Sequence, residues 1–346
     1  MRVRAPPDAR PVDPRYPHRR MSARTRVLAI VALAATAAVV ATVGGTLLQT
    51  RGESTTAPGA VSKPRAGAPL LQLDFGVRAD AQAKALANAA KLYNTGKLAA
   101  AGRIFARYHS LDAQIGSAFA AWPKGGLDAL KQLVAANPHS ALAQLHLGWA
   151  YYWSGRNADA VAAWTRTAAL QPDSPYAVDA ESALHPSMAP GLPFIVSTVS
   201  PPASLTRLPA AAELQALARA AERPNADAKL FYGIALWNLR HPVSAERQLS
   251  AAAKLAPDDP LIRTAAAVGA FRKDQPVAAF GKLGPLTGVF PKAAVVRFHL
   301  GILLLWTSQP KKAERQLQLA ADLSPKSVYA KEARTLIASL ASGGTK

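Results

Sequence analysis

The apolar and polar positions of this chain fall into blocks that return every 34 residues. Pro257, Pro291 and Pro325 are 34 apart, and so are Pro242, Pro276 and Pro310. Ala245, Ala279 and Ala313 keep the same step, and the string Ala-Glu-Arg-Gln-Leu at 245–249 recurs at 313–317. Inside each block the apolar residues recur at helical spacing, which predicts two helices joined by a turn. The closing proline ends the second helix because it lacks an N–H and clashes with the preceding turn. A period of this length with a small residue near its middle predicts paired helices stacked into a solenoid, so the expected fold class is all-α.

The same grammar extends towards the N-terminus. Asp80 to Tyr93 carries apolar and alanine residues at helical spacing, Asn94-Thr95-Gly96 supplies a turn, and Leu98 to Tyr108 resumes the helix. A shortened unit follows, with Ile115 to Trp122 and Leu127 to Ala136 separated by Pro123 to Gly126 and ended by Pro138. The clearest block begins at Ala141 and contains Leu147-Gly148, Tyr151, Gly155, Ala160, Trp164 and Pro172. Pro172 and Pro257 then stand 85 residues apart, two and a half periods. Pro175 to Leu184 and Pro209 to Glu222 are expected to form one pair of helices, with an insertion at about 185–208. That insertion is rich in proline and holds the apolar run Leu192-Pro193-Phe194-Ile195-Val196. Asp173 and Asp258-Asp259 stand at block junctions, where they can cap the next helix. After Pro325, Ser327 can cap a final helix that runs to Leu340.

Leu147-Gly148 with Tyr151, Ala160, Trp164 and Pro172 resembles the tetratricopeptide repeat family. The corresponding groups are Tyr232-Gly233, Ala245, Leu249 and Pro257, then Ala266-Ala267, Ala279, Leu283 and Pro291, then Leu300-Gly301, Ala313, Leu317 and Pro325. The chain departs from the family pattern at Leu236, Ala270 and Leu304, which replace the aromatic of Tyr151. The resemblance implies a tetratricopeptide-type solenoid over residues 79–340 in which the first helix of each hairpin lines a concave groove. That frame puts His146, Trp149, Tyr152 and Trp153 in the groove, followed by Phe231, Trp237 and Asn238, Phe271 and Arg272, and Phe298, His299 and Trp306. A groove rich in Trp with scattered Arg has the composition of a protein-binding surface. Phe194, Ile195 and Val196 of the insertion are expected to serve as a local plug, as a lip for a partner, or as an intramolecular occupant of the groove.

Composition alters the picture mainly at the N-terminus. The charge is +20 over 346 residues, and eight arginines against two aspartates before Val27 supply +6 of it, leaving +14 for the rest. Residues 1–26 read as a disordered basic arm. No charge occurs from Val27 to Leu48, and these residues as a helix reach about 33 Å, enough to cross a hydrocarbon core of about 30 Å. The expectation is a single transmembrane helix at 27–49, with a cleaved signal sequence as the competitor. The flanking arginines put the N-terminus in the cytoplasm and the array outside it. Residues 50–78, with Pro58, Pro64 and Pro69, are expected to be a flexible linker, and 341–346 a disordered tail.

The absence of cysteine excludes disulfides, thiolate nucleophiles and Cys-ligated metals. The seven histidines show no metal-binding spacing, and neither a phosphate loop nor a nucleophile elbow occurs. The sequence therefore predicts a non-catalytic scaffold without cofactor or metal. Its expected partner is a protein or peptide of a bacterial cell envelope, with the bilayer and an anionic envelope polymer as further contacts and no nucleic acid. The alternative is an accessory subunit of an envelope enzyme system such as cytochrome c maturation.

Overall fold

The computed structural model describes residues 63–343. The expected basic arm, the 27–49 span and the last residues of the tail lie outside the described residues. Among the described residues no helix is long and apolar enough to cross a membrane, and all regular secondary structure is helical.

The helices form hairpins, each packed on the next. The first half comprises α1 (Ala81–Asn94) with α2 (Leu98–Phe105), α3 (Leu111–Ala120) with α4 (Gly126–Ala136), α5 (Ala141–Trp153) with α6 (Asn157–Leu170), and a closing helix α7 (Pro175–Leu184). Two helices of a connecting region follow, the single-turn α8 (Ala203–Thr206) and α9 (Ala210–Ala221). The second half repeats the order of the first: α10 (Ala226–Asn238) with α11 (Pro242–Leu255), α12 (Pro260–Gly269) with α13 (Val277–Leu283) and α14 (Leu286–Val289), α15 (Ala294–Trp306) with α16 (Pro310–Leu323), and a closing helix α17 (Val328–Gly343). Gly284-Pro285 splits the second helix of the middle hairpin into α13 and α14, as a proline without an N–H would.

Local chemistry sets these boundaries. Asp80, Ser140, Ser174, Asn225 and Asp259 each accept a backbone N–H from the first turn of the helix that they precede, satisfying donors that the helix leaves open. Pro175, Pro242, Pro260 and Pro310 occupy first-turn positions, where the missing N–H costs nothing. Within the hairpins, a glycine of the first helix meets a large side chain of the second. A Cβ added at Gly148 would lie 2.4 Å from the Trp164 indole, and at Gly233 or Gly301 within 2.8 Å of Leu249 or Leu317. Ala160, Ala245, Ala279 and Ala313 are fully buried beside these contacts. The repeat pattern is thus the packing rule of a tetratricopeptide-like hairpin, a small residue admitting a large one.

Two hydrophobic cores result among the described residues. One runs from Leu71 to Ala183 and the other from Ile195 to Ala333. Three features differ from the sequence-based expectation. Helix α7 does not pair with α9; it stacks on α6 as α17 stacks on α16, while α9 packs on α10, because the proline-rich run between α7 and α9 carries the chain away from α7. Within the expected flexible linker 50–78, the part around Leu70 to Phe75 is packed onto the first core, since its Leu70, Leu71, Leu73 and Phe75 find an apolar surface to cover. Helix α17 also continues to Gly343, past the expected end at Leu340.

Candidate functional site

Each half of the molecule has a groove, and in each an extended stretch of the same chain lies in it. The first stretch is residues 65–75, just ahead of α1; the second is 189–198, just behind α7. Corresponding positions hold both. Arg65 donates its backbone N–H to the Trp153 carbonyl at 2.8 Å, and Ala189 does so to the Trp306 carbonyl at 3.0 Å. The Pro69 carbonyl accepts from the Tyr93 hydroxyl at 2.7 Å, and the Pro193 carbonyl from the Trp237 indole at 2.6 Å. The Gln72 N–H donates to His146 Nε2 at 3.1 Å, and the Val196 N–H to His299 Nε2 at 3.0 Å. In the two stretches the partners are 124 residues apart (65 and 189, 69 and 193, 72 and 196), and on α5 and α15 they are 153 apart (146 and 299, 153 and 306). The register of one groove is reproduced in the other.

The two histidines share one chemical arrangement. His146 Nδ1 bonds to the Leu142 carbonyl at 2.7 Å and His299 Nδ1 to the Val295 carbonyl at 2.8 Å. A carbonyl can only accept, so Nδ1 carries the proton and Nε2 is left as an acceptor for the N–H of the seated stretch. Both rings are fully buried, and burial pushes each imidazole down to about 4. They are therefore neutral at pH 7, the state that the bond requires. Tyr176 on α7 and Tyr329 on α17, again 153 apart, donate to the Asp74 and Val196 carbonyls at 3.3 and 3.5 Å.

Several of the residues that the sequence placed in a groove meet at the first stretch. Trp149 donates its indole N–H to Gln72 Oε1 at 2.8 Å, and Trp153 donates to the Ala66 carbonyl at 3.3 Å. The Arg65 guanidinium lies over the Tyr152 ring, 3.4 Å from its centroid. At the second stretch Phe194 packs against Phe298 and Trp306, with ring centroids 6.2 and 5.6 Å away, and Ile195 is buried. Phe231, Asn238, Phe271 and Arg272 are not bonded to either stretch. Phe231 is half-buried, Asn238 is exposed, and Phe271 is a core residue. Arg272 pairs with Glu246 at 2.7 Å. Tyr93, Asn94, Tyr176 and Tyr329 are contacts that the repeat pattern missed. The signal for the last two was present in the 153-residue step that Tyr176 and Tyr329 share with the histidines.

The halves are joined by a polar junction. Asp173, expected to cap the next helix, instead accepts from the Val243 and Ser244 N–H groups at the start of α11, at 2.9 and 3.0 Å, and from the Ser244 hydroxyl at 2.6 Å; Ser174 caps α7. Arg240, with φ of 62°, forms a two-pronged bond to Asp179 at 3.0 and 2.8 Å and reaches the Pro175 carbonyl at 3.1 Å and Asp74 at 3.5 Å. Burial raises the Asp179 pKa and the Arg240 charge opposes that rise. The Lys273 ammonium, also buried, bonds to the Ala189 carbonyl, and burial lowers its pKa to about 8.

The geometry and the sequence pattern define a solenoid of tetratricopeptide-like hairpins, built as two equivalent halves. No protein-family model matches the chain, and no match is found among curated proteins. Among solved structures it is similar to YrrB, described as a TPR protein with an unusual peptide-binding site (16% identity, TM-score 0.32, over 60% of this chain and 99% of that one). It is also similar to the TPR2AB domain of yeast Sti1 in complex with pHSP90 (14%, 0.28, 74% and 96%) and to yeast Tom70 (11%, 0.31, 78% and 66%). TM-scores this low do not align whole arcs, and the fold assignment rests on the hairpins themselves.

Proposed function

We propose that this protein is a non-catalytic protein–protein interaction scaffold. On this reading the 27–49 segment anchors it in the cytoplasmic membrane, and the array lies on the extracytoplasmic side, where its grooves grip extended peptide segments of envelope proteins. The supporting observation is the way each groove holds its extended stretch. The bonds from Trp153, Trp306, His146, His299, Tyr93 and Trp237 all go to main-chain groups, which every peptide possesses, while selection falls to the apolar side chains between them.

The test is site-specific crosslinking in cells. A photoreactive residue at exposed Asn238 on α10 is expected to capture a partner by a segment identifiable by mass spectrometry, and one at exposed Leu319 on α16 is expected not to. Capture at Leu319 alone would remove the groove from the reading. A C-terminal reporter active only in the cytoplasm would overturn the topology.

A further inference from the structure

The two occupants are not held equally. In the first groove Trp153 donates its indole N–H to the Ala66 carbonyl, and Asn94 donates its amide to the Leu71 carbonyl at 3.0 Å. Their counterparts in the second groove are Trp306 and Asn238. The Trp306 indole nitrogen is shut off from solvent and has no partner, although its ring lies against Phe194. Asn238 is exposed and makes no bond to Ile195. A buried donor without a partner costs about 1–3 kcal/mol, so the second groove is incompletely matched to the stretch that fills it.

The tethers differ in the same sense. The first stretch passes into α1 through a short turn fixed by the Gly76 N–H on Asp74, the Arg78 N–H on Phe75 and the Asp80 cap. Lifting it out would disturb the first hairpin. The second continues through residues 199–225, where α8 has no buried residue and α9 buries Leu217 and Ala221 against α10, so a longer segment separates residues 190–198 from the next hairpin; in leaving, they would give up the Gly191 N–H bond to the Ser182 hydroxyl at 3.0 Å.

We infer that the second groove is an exchange site: residues 190–198 are a displaceable plug, and the external ligand is an extended peptide with a proline followed by two apolar residues. That is the pattern shared by Pro69-Leu70-Leu71 and Pro193-Phe194-Ile195. The ligand's carbonyl three positions before the proline reaches the Trp306 indole, as Ala66 reaches Trp153. Its N–H three positions after the proline reaches His299, as Gln72 reaches His146. This rests on the groove-binding reading above and adds to it which groove opens and what it selects.

The test uses the full-length chain in detergent and a fluorescent synthetic peptide of residues 65–76 with a photoreactive group in place of Leu71. Val196→Pro removes the N–H that the plug gives to His299 while keeping an extended backbone. It is expected to raise peptide affinity about tenfold, the equivalent of one good hydrogen bond. Crosslinks are expected on α10 and α15, and a peptide with proline in place of Gln72 is expected to lose the gain. Unchanged affinity in a Val196→Pro chain with native circular dichroism, or crosslinks confined to α1 and α5, would overturn the inference. In that event capture of a cellular partner at Asn238 that this peptide does not compete would leave the scaffold reading standing, whereas absence of any capture would remove both.

Discussion

The two halves of the molecule are built on one plan and filled differently. Each has three hairpins, a closing helix and an extended stretch bonded to one tryptophan carbonyl and one buried histidine. In the first half the stretch 65–75 satisfies the Trp149, Trp153 and Asn94 donors beside it; in the second the stretch 189–198 leaves the Trp306 indole unpartnered. The contrast teaches that a repeated groove can be closed structurally at one end of an array and kept exchangeable at the other, the difference residing in a few donors and the length of one tether.

The largest way to break the comparison is to uncouple the halves. Arg240→Ala leaves Asp179, 8% exposed, without its counter-charge. Removing one partner of a buried pair costs about 3–5 kcal/mol, and the loss here is expected near 3 because the Arg240 side chain is 30% exposed. Calorimetry should show the melting transition fall and split in two. Arg272→Ala, whose pair with Glu246 has about a third of each side chain exposed, is expected to cost no more than about 1 kcal/mol.

Acid tests whether the histidines are equivalent. Burial lowers both from 6.5 to about 4 in the folded state. Between those values the unfolded chain binds more protons than the folded one, so each histidine's contribution is complete above pH 6.5 and fades as pH falls towards 4. The slope is about 1.4 kcal/mol per pH unit for each ring. Asp179 and Glu181, whose pKa values are raised by burial, act in the opposite direction, so the informative quantity is a difference. Urea titrations of His299→Gln should show a pH dependence shallower than that of the parent by about one such slope in this window. An unchanged slope would mean that His299 does not hold its proton-free Nε2 towards Val196.

The close approaches differ as well. A methyl at Gly148 meets the rigid indole of Trp164 at 2.4 Å, whereas at Gly301 it meets the flexible end of Leu317 at 2.8 Å. Overpacking costs about 1–3 kcal/mol; Gly148→Ala is expected at the upper end and Gly301→Ala at the lower, read from chemical-denaturation midpoints.

How far the sequence foretold this follows from what each feature depends on. The hairpins were legible because the small-against-large contact, the helix caps and the prolines act within one block. Leu147-Gly148, Ala160 and Trp164 carry the rule in the sequence itself. The occupied grooves were half legible: His146, Trp149, Trp153 and Trp306 stood out as aromatic residues on first helices, and Phe194 to Val196 as an apolar run too proline-rich for a helix. That Arg65 to Phe75 is the same kind of stretch was not legible, because many of its bonds run to distant residues such as His146, Trp149 and Trp153, 74 to 87 positions away, and because glycine and proline around it read as linker. The pairing of α7 is hidden in the sequence for a related reason. Its partner is chosen by stacking on α6, while sequence adjacency suggested α9.

The finest test of the comparison substitutes the two equivalent tryptophans. Trp153→Phe removes an indole N–H that donates to the exposed Ala66 carbonyl at 3.3 Å, and because water can take the donor's place the lost bond is expected to cost no more than about 1 kcal/mol. Trp306→Phe removes a buried N–H that has no partner, so the gain from losing an unsatisfied donor offsets the packing lost with the larger ring against Phe194, and its cost is expected to be close to zero. The two substitutions delete the same atoms at positions 153 residues apart in equivalent grooves, so the difference in their unfolding free energies measures how much better the first groove is matched to its occupant. Equal losses would mean that the second groove is as fully satisfied as the first, and the asymmetry between the halves would then reduce to the length of their tethers.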